Sequence, residues 1–153
     1  MNVRMQYLRL LHASSYRTNT RITPIHRAIG RGLADWVLFR EYWDAEDSVD
    51  KLADRVGVPR EEVAAFMRDQ LGDRFLAMRK RLRISDAEEL LVQNREMSLA
   101  EVGRTVGFQD KSDFRKVFRQ EKGMSPHSWR ECQGNRIYHW INRISEGDRS
   151  RCP

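Results

Sequence analysis

The sequence has little of what marks an enzyme or an exported protein. It holds two cysteines in 153 residues, Cys132 and Cys152. Two do not make a disulfide framework, and both read as free thiols. The four histidines, His12, His26, His127 and His139, are scattered. With Cys132 they match no zinc spacing, so neither a metal site nor a cofactor is expected. There is no nucleophile elbow, no Walker loop and no Gly-x-Gly-x-x-Gly turn. The carboxylates fall on helix caps and solvent faces, so no catalytic residue is assigned and no enzyme is expected. No apolar run approaches the roughly 20 residues of a membrane helix. The start, Arg4 and then YLRLLHA, is too broken for a signal-peptide core. A cytoplasmic protein with no membrane partner is expected. No internal repeat or low-complexity block appears.

What is present is charge and a modest core. Apolar residues make up 40% of the chain, and the mean hydropathy is −0.72. The net charge is +6, which permits nucleic acid as a partner. Its distribution says more. Residues 1–34 carry +6, residues 35–75 carry −5, residues 76–131 carry +3 and residues 132–153 carry +2. The middle is acidic and the ends are basic.

The stretch Ser98–Arg130 organises the rest. Ser98 with Glu101 has the spacing of a capping box that starts a helix. Val102 and Val106 share one face, and Gly103 is small enough for a second helix to cross closely. Gly107 suits a turn that needs positive φ. Asp110 can cap a second helix whose apolar stripe is Phe114, Val117 and Phe118. Gly123 stops it. Ser125-Pro126 then starts a third helix, anchored by Trp129. Helix, glycine turn, helix in about twenty residues is a helix-turn-helix. The second helix's solvent face reads Lys111, Ser112, Arg115, Lys116, Arg119. A basic exposed face on that helix suits a major-groove reader.

These residues resemble the AraC/XylS family of bacterial transcription regulators. The family's pattern is met by Val102, Gly107-Phe108, Asp110, Ser112, Phe114, Phe118-Arg119, Gly123, Ser125-Pro126 and Trp129-Arg130. Gly103 departs from it, since the family usually has Ala there. The resemblance implies that Lys111, Ser112, Asp113, Arg115 and Lys116 face the major-groove floor. Arg115 or Lys116 would pair with guanine O6/N7 and Asp113 would accept from cytosine N4. Asp113 equally suits the helix dipole. Arg119, Arg104 and the helix start at Ser98 would hold phosphates.

Residues 48–72 read as another helix-turn-helix. Leu52, Val56, Val58, Val63 and Phe66 supply an inward face, Ala53 sits at the crossing, Gly57 makes the turn and Pro59 suits the first turn of the second helix. Met67 stands where the family usually has Phe, which leaves the core apolar. The outer surface offers Glu61, Glu62, Ala64 and Ala65. Two readings stay open: the unit has kept its fold and lost most of its DNA contact, or Arg60 and Arg68 hold phosphates while Glu61 reads a cytosine.

Residues 73–93 read as one long helix whose apolar stripe changes side, from Phe75, Met78 and Leu82 to Ile84, Ala87, Leu90 and Leu91. Such a helix spans roughly 30 Å, close to the ~34 Å between successive major-groove faces. The run Arg83 to Leu91 also resembles the family's linker helix. Arg79, Lys80, Arg81 and Arg83 read as a solvated basic face or as phosphate contacts. Residues 1–32 read as a basic, Arg-rich arm or linker, with a hint of a short helix at Met5, Leu8 and Leu11. Trp36, Val37, Arg40 and Trp43 have helical spacing. Residues 132–153 read as a short amphipathic extension, with Ile137, Trp140, Ile141 and Ile144 on one face and a frayed end.

The expected fold is all-α: two helix-turn-helix units joined by a long helix over residues 33–131. The expected function is sequence-specific binding of double-stranded DNA in transcription regulation, with base reading mainly by the second unit, as a monomer or weak dimer. Family members usually recruit RNA polymerase, and repression is also compatible. They often carry a sensing domain upstream; the 34 residues here are too few to fold a pocket. A stand-alone regulator and the DNA-binding fragment of a longer one both fit. A different class also fits, a protein-interaction module on the same scaffold whose acidic first unit meets a basic partner.

Overall fold

The structure is a computed structural model and describes residues 2–13 and 22–133. Every regular element among the described residues is helical. The helices are α1 (Val3–Ala13), α2 (Pro24–Leu38), α3 (Val49–Val56), α4 (Arg60–Phe66), α5 (Phe75–Gln93), α6 (Leu99–Thr105) and α7 (Lys111–Lys122). A last helix starts at 126 and runs to the end of the described residues. A 3-10 turn covers Glu41–Trp43, and a π-helical turn, Met67–Leu71, prolongs α4. The chain forms two compact units, 1–85 and 86–153. The extension expected at 132–153 lies outside the described residues, except 132 and 133.

The first unit is built on α2. Thr23 caps that helix by accepting from the His26 amide, and Pro24 occupies its first turn. Ile29, Leu33, Trp36 and Val37 are buried along one side. Trp36 packs edge-on against Tyr42, ring centres 5.3 Å apart, and against Phe75 at 5.0 Å. Its indole N–H donates to Asp47 at 3.1 Å. Burial pushes the Asp47 carboxyl up, and that hydrogen bond pulls it back down. Leu52, Val63, Phe66, Met67, Met78 and Leu82 complete the core.

Three expectations are corrected here. Residues 3–13 and 24–32 are not an arm or linker: both are helical, and Tyr7 and Leu11 of α1 join the same core as Ile29. The polar look of this region comes from the outer faces of two amphipathic helices. Nor is Arg83 part of a solvated or phosphate-holding face, and Arg81, though exposed, is held by an acid. Arg83 is buried, its Nε donating to the Tyr42 carbonyl at 2.6 Å and its Nη2 to the Asp44 carbonyl at 2.8 Å. Arg79 donates to the Asp47 carbonyl. A loop that leaves helical geometry strands its carbonyls, and guanidinium groups supply several donors at once. Arg81 clamps Asp73 with two bonds, 2.8 and 3.1 Å, and donates to the Tyr7 hydroxyl at 2.8 Å. Tyr7 in turn donates to Asp73 at 2.5 Å, which ties α1 to the start of α5. Burial and the Asp73 carboxylate push the Tyr7 hydroxyl well above its usual range. Finally, Cys132 is disulfide-bonded and not a free thiol; no described cysteine is free.

The long helix is as expected within two residues. Phe75, Met78 and Leu82 are buried on one side, and Ile84, Ala87 and Leu91 on roughly the opposite one. Residues 82–87 are all buried.

Candidate nucleic-acid interface

The second unit begins with the capping box that the spacing of Ser98 and Glu101 predicts. The Glu101 amide donates to the Ser98 hydroxyl at 3.2 Å, and the Ser98 amide donates to the Glu101 carboxylate at 2.7 Å. Hydrogen bonds from the Ser98 hydroxyl and the Ser98 amide hold the Glu101 carboxyl below its usual range. Val102 and Val106 are buried. A Cβ on Gly103 would stand 3.0 Å from the Phe114 ring, so a bare Cα is what lets α7 cross here. Gly107, at φ 96°, makes the turn, a conformation that costs a residue with a Cβ.

Asp110 caps α7, accepting from the amides of Ser112 and Asp113. These bonds, that from Asp113 foremost, hold its carboxyl down. Phe108, Phe114, Phe118 and Trp129 then form a chain of rings with neighbouring centres 5.4, 5.8 and 6.2 Å apart. Phe114 and Phe118 are fully buried. Burying one such ring contributes roughly 1.5–3 kcal/mol. At the far end, Lys122 pairs with Glu88 at 2.7 Å and lies 5.7 Å from the Trp129 ring centre. Burial raises the Glu88 carboxyl and the Lys122 ammonium lowers it. Arg130 donates to the Met97 carbonyl at 2.8 Å, closing the last helix onto the loop before α6. The exposed surface of α7 is thereby held outward.

That face carries the expected residues. Lys111, Ser112, Asp113, Arg115, Lys116 and Arg119 are all exposed. Lys111, Arg115 and Arg119 follow one another at i, i+4 and i+8, with Ser112 and Lys116 beside them. Among the described residues no acid pairs with Lys111, Arg115, Lys116 or Arg119. Arg115, Lys116 and Arg119 also line an open groove of about 620 Å³ whose other wall is Ser125, Pro126 and His127. His127, weighed in the sequence only as a metal ligand, was not assigned to this face. The signal was the Ser125-Pro126 helix start, which turns the next side chain toward the groove. Arg104 is exposed, near the Glu101 carboxylate. The amide and the hydroxyl of Ser98 are both bonded to Glu101.

The first unit repeats the shape. Ser48 caps α3, Gly57 turns at φ 74°, and α4 buries Val63 and Phe66. Pro59 stands at the N-cap of α4, one position before the expected first turn. Its outer chemistry differs. Glu61, Glu62 and Ala64 are exposed. Arg60 pairs with Asp50 at 3.2 Å and Arg68 with Asp69 at 3.3 Å. Lys51 pairs with Asp44 at 3.3 Å, and Arg55 with Glu41. Among the described residues no cluster of His, Cys, Asp and Glu is arranged to hold a metal ion. Nor is any helix long and apolar enough to cross a membrane.

A helix-turn-helix domain family matches residues 52–131, just over half of the chain. The arabinose operon regulatory protein of Salmonella typhimurium is 36% identical over 87 residues, covering 57% of this chain and 31% of that protein. The chain thus spans about a third of the length of that relative. The DNA-binding domain of AdpA, a global transcriptional factor solved in complex with a target DNA, superposes with TM-score 0.61 at 24% identity, covering 78% of this chain and 98% of that one. A transcriptional regulator with an AraC-type DNA-binding domain from Chromobacterium violaceum gives TM-score 0.57 at 24% identity, covering 76% and 96%. With both helix-turn-helix units, the joining helix and the residues of the second unit in place, the chain belongs to the AraC-type helix-turn-helix family.

Proposed function

We propose that the chain is a sequence-specific DNA-binding transcription regulator, or that part of one, acting in the bacterial cytoplasm and reading bases mainly through α7. One observation carries this: four exposed cations of α7 have no acid on them among the described residues, while the matching helix of the first unit shows acids and paired cations. Arg115 and Lys116 reach guanine O6/N7, and Asp113 accepts from cytosine N4. Arg119 and Arg104 hold phosphates and fix register. A contact with RNA polymerase and action as a monomer or weak dimer complete the proposal. The acidic outer face of α4 favours a second reading, a module that binds a basic protein partner.

Salt separates the two. Affinity of the full chain for duplex DNA, followed by fluorescence anisotropy, falls steeply as salt rises, with a log–log slope of about 0.9 per phosphate neutralised. Arg119→Ala lowers that slope by about 1, whereas Arg60→Ala leaves it in place because Asp50 already holds that guanidinium. No DNA binding at low salt favours the interaction module.

A further inference from the structure

The first unit contains a groove that the DNA-binding reading does not use. It lies where α1, α2 and the end of α4 meet and holds about 550 Å³. That volume is within the ~300–1,000 Å³ of small-molecule sites. Its rim carries His12, His26, Arg27 and Arg31 and no acid. Arg27 and Arg31 are one helical turn apart on α2, both exposed, and pair with no acid among the described residues. The floor is apolar: Leu11, Ala34 and Phe66, with the His26 ring 5.9 Å from that of Phe66.

Gly30 leaves this floor open. It lies inside a 15-residue helix, where glycine costs about 1 kcal/mol relative to alanine. Its neighbour Gly32 has a packing reason, since a Cβ there would meet Val56 at 2.4 Å. Gly30 has none: its φ is not positive, and a Cβ would make only ordinary contact with Phe66 at 3.6 Å. What a side chain at 30 would do is fill the groove.

We infer that this groove binds a small organic acid, its carboxylate on Arg27 and Arg31 and its apolar body on Phe66, Leu11 and the Gly30 floor. Two guanidinium groups without a competing carboxylate select an anion. The apolar floor selects against a fully hydrated one such as inorganic phosphate. The site needs nothing from α7 and is independent of the DNA-reading proposal.

The test is titration of the full chain with 2-naphthoate by calorimetry, alongside 2-naphthamide and inorganic phosphate. Naphthoate binds with one-to-one saturation, at least about tenfold more tightly than either control. Arg27→Gln with Arg31→Gln removes that preference over the amide. Gly30→Ala raises the melting temperature through helix propensity and weakens naphthoate binding, an opposite pair of changes that a merely structural glycine does not produce. Equal binding of the amide overturns the anion assignment. Phosphate binding as tight as naphthoate marks a general anion or nucleic-acid backbone patch and overturns the organic-acid assignment. Absence of saturation by naphthoate up to millimolar concentrations, or full affinity in Gly30→Ala, overturns the site.

Discussion

The two helix-turn-helix units share a scaffold and differ in what they show to solvent. In the first, Lys51, Arg55, Arg60 and Arg68 each pair with an acid. In the second, Lys111, Arg115, Lys116 and Arg119 face outward with no acid on them among the described residues. Cap, glycine turn and buried apolar stripe recur in both. The inner face of such a unit sets its shape, and the outer face sets whether it attracts phosphate. One can be kept while the other changes, because they occupy different positions of the same helical repeat.

The largest expected effect breaks the scaffold of the second unit. Phe114→Ala removes the ring between Phe108 and Phe118 and leaves a cavity beside Gly103. A loss of about 3–5 kcal/mol in denaturant unfolding is expected, with loss of DNA binding. A loss under about 1 kcal/mol contradicts the central place given to that ring. Next comes the outer face. Arg115→Ala lowers DNA affinity by about 1–3 kcal/mol and relaxes choice at one base pair. Glu61→Ala, on the equivalent helix of the first unit, leaves affinity unchanged or raises it, since a carboxylate there only repels phosphate. Equal losses in the two variants, measured by competition with mismatched duplexes, erase the contrast.

Much of this was legible in the sequence because it is local. The capping box at Ser98, the Asp110 cap, the turns at Gly57 and Gly107 and the switch of stripe along α5 each depend on residues a few positions apart. What was not legible is long-range. Tyr7 meets Asp73 across 66 positions, and Arg83 reaches the Tyr42 carbonyl across 41. No periodicity reports such contacts, so Arg83 looked like a surface cation. The α2 helix was hidden by Gly30 and Gly32, which lower its propensity; packing of Ile29, Leu33 and Trp36 overrides that. The pairing of Arg60 with Asp50 bridges two helices and decides how much of a candidate phosphate contact is left.

The smallest expected effect sharpens the comparison through pH. Asp110 has its carboxyl held below the usual range by amides of the first turn of α7. Its contribution is therefore present above the unfolded carboxylate value of about 3.9 and is lost as pH falls through the lower, folded value. Asp110→Asn keeps an acceptor and removes the titration. Wild type and variant should differ at pH 7 and converge in acid when unfolding is followed by circular dichroism. A gap that stays constant down to pH 2 contradicts a role for the charge.

The central claim is that one unit reads DNA and the other shares only its shape. Selection of random duplex DNA by the purified full chain, at about 100 mM salt, tests it most directly. The account predicts one enriched half-site of about four to six base pairs, the reach of one recognition helix. Two enriched half-sites about 10 base pairs apart would contradict it, because α4 would then be reading bases past its own glutamates.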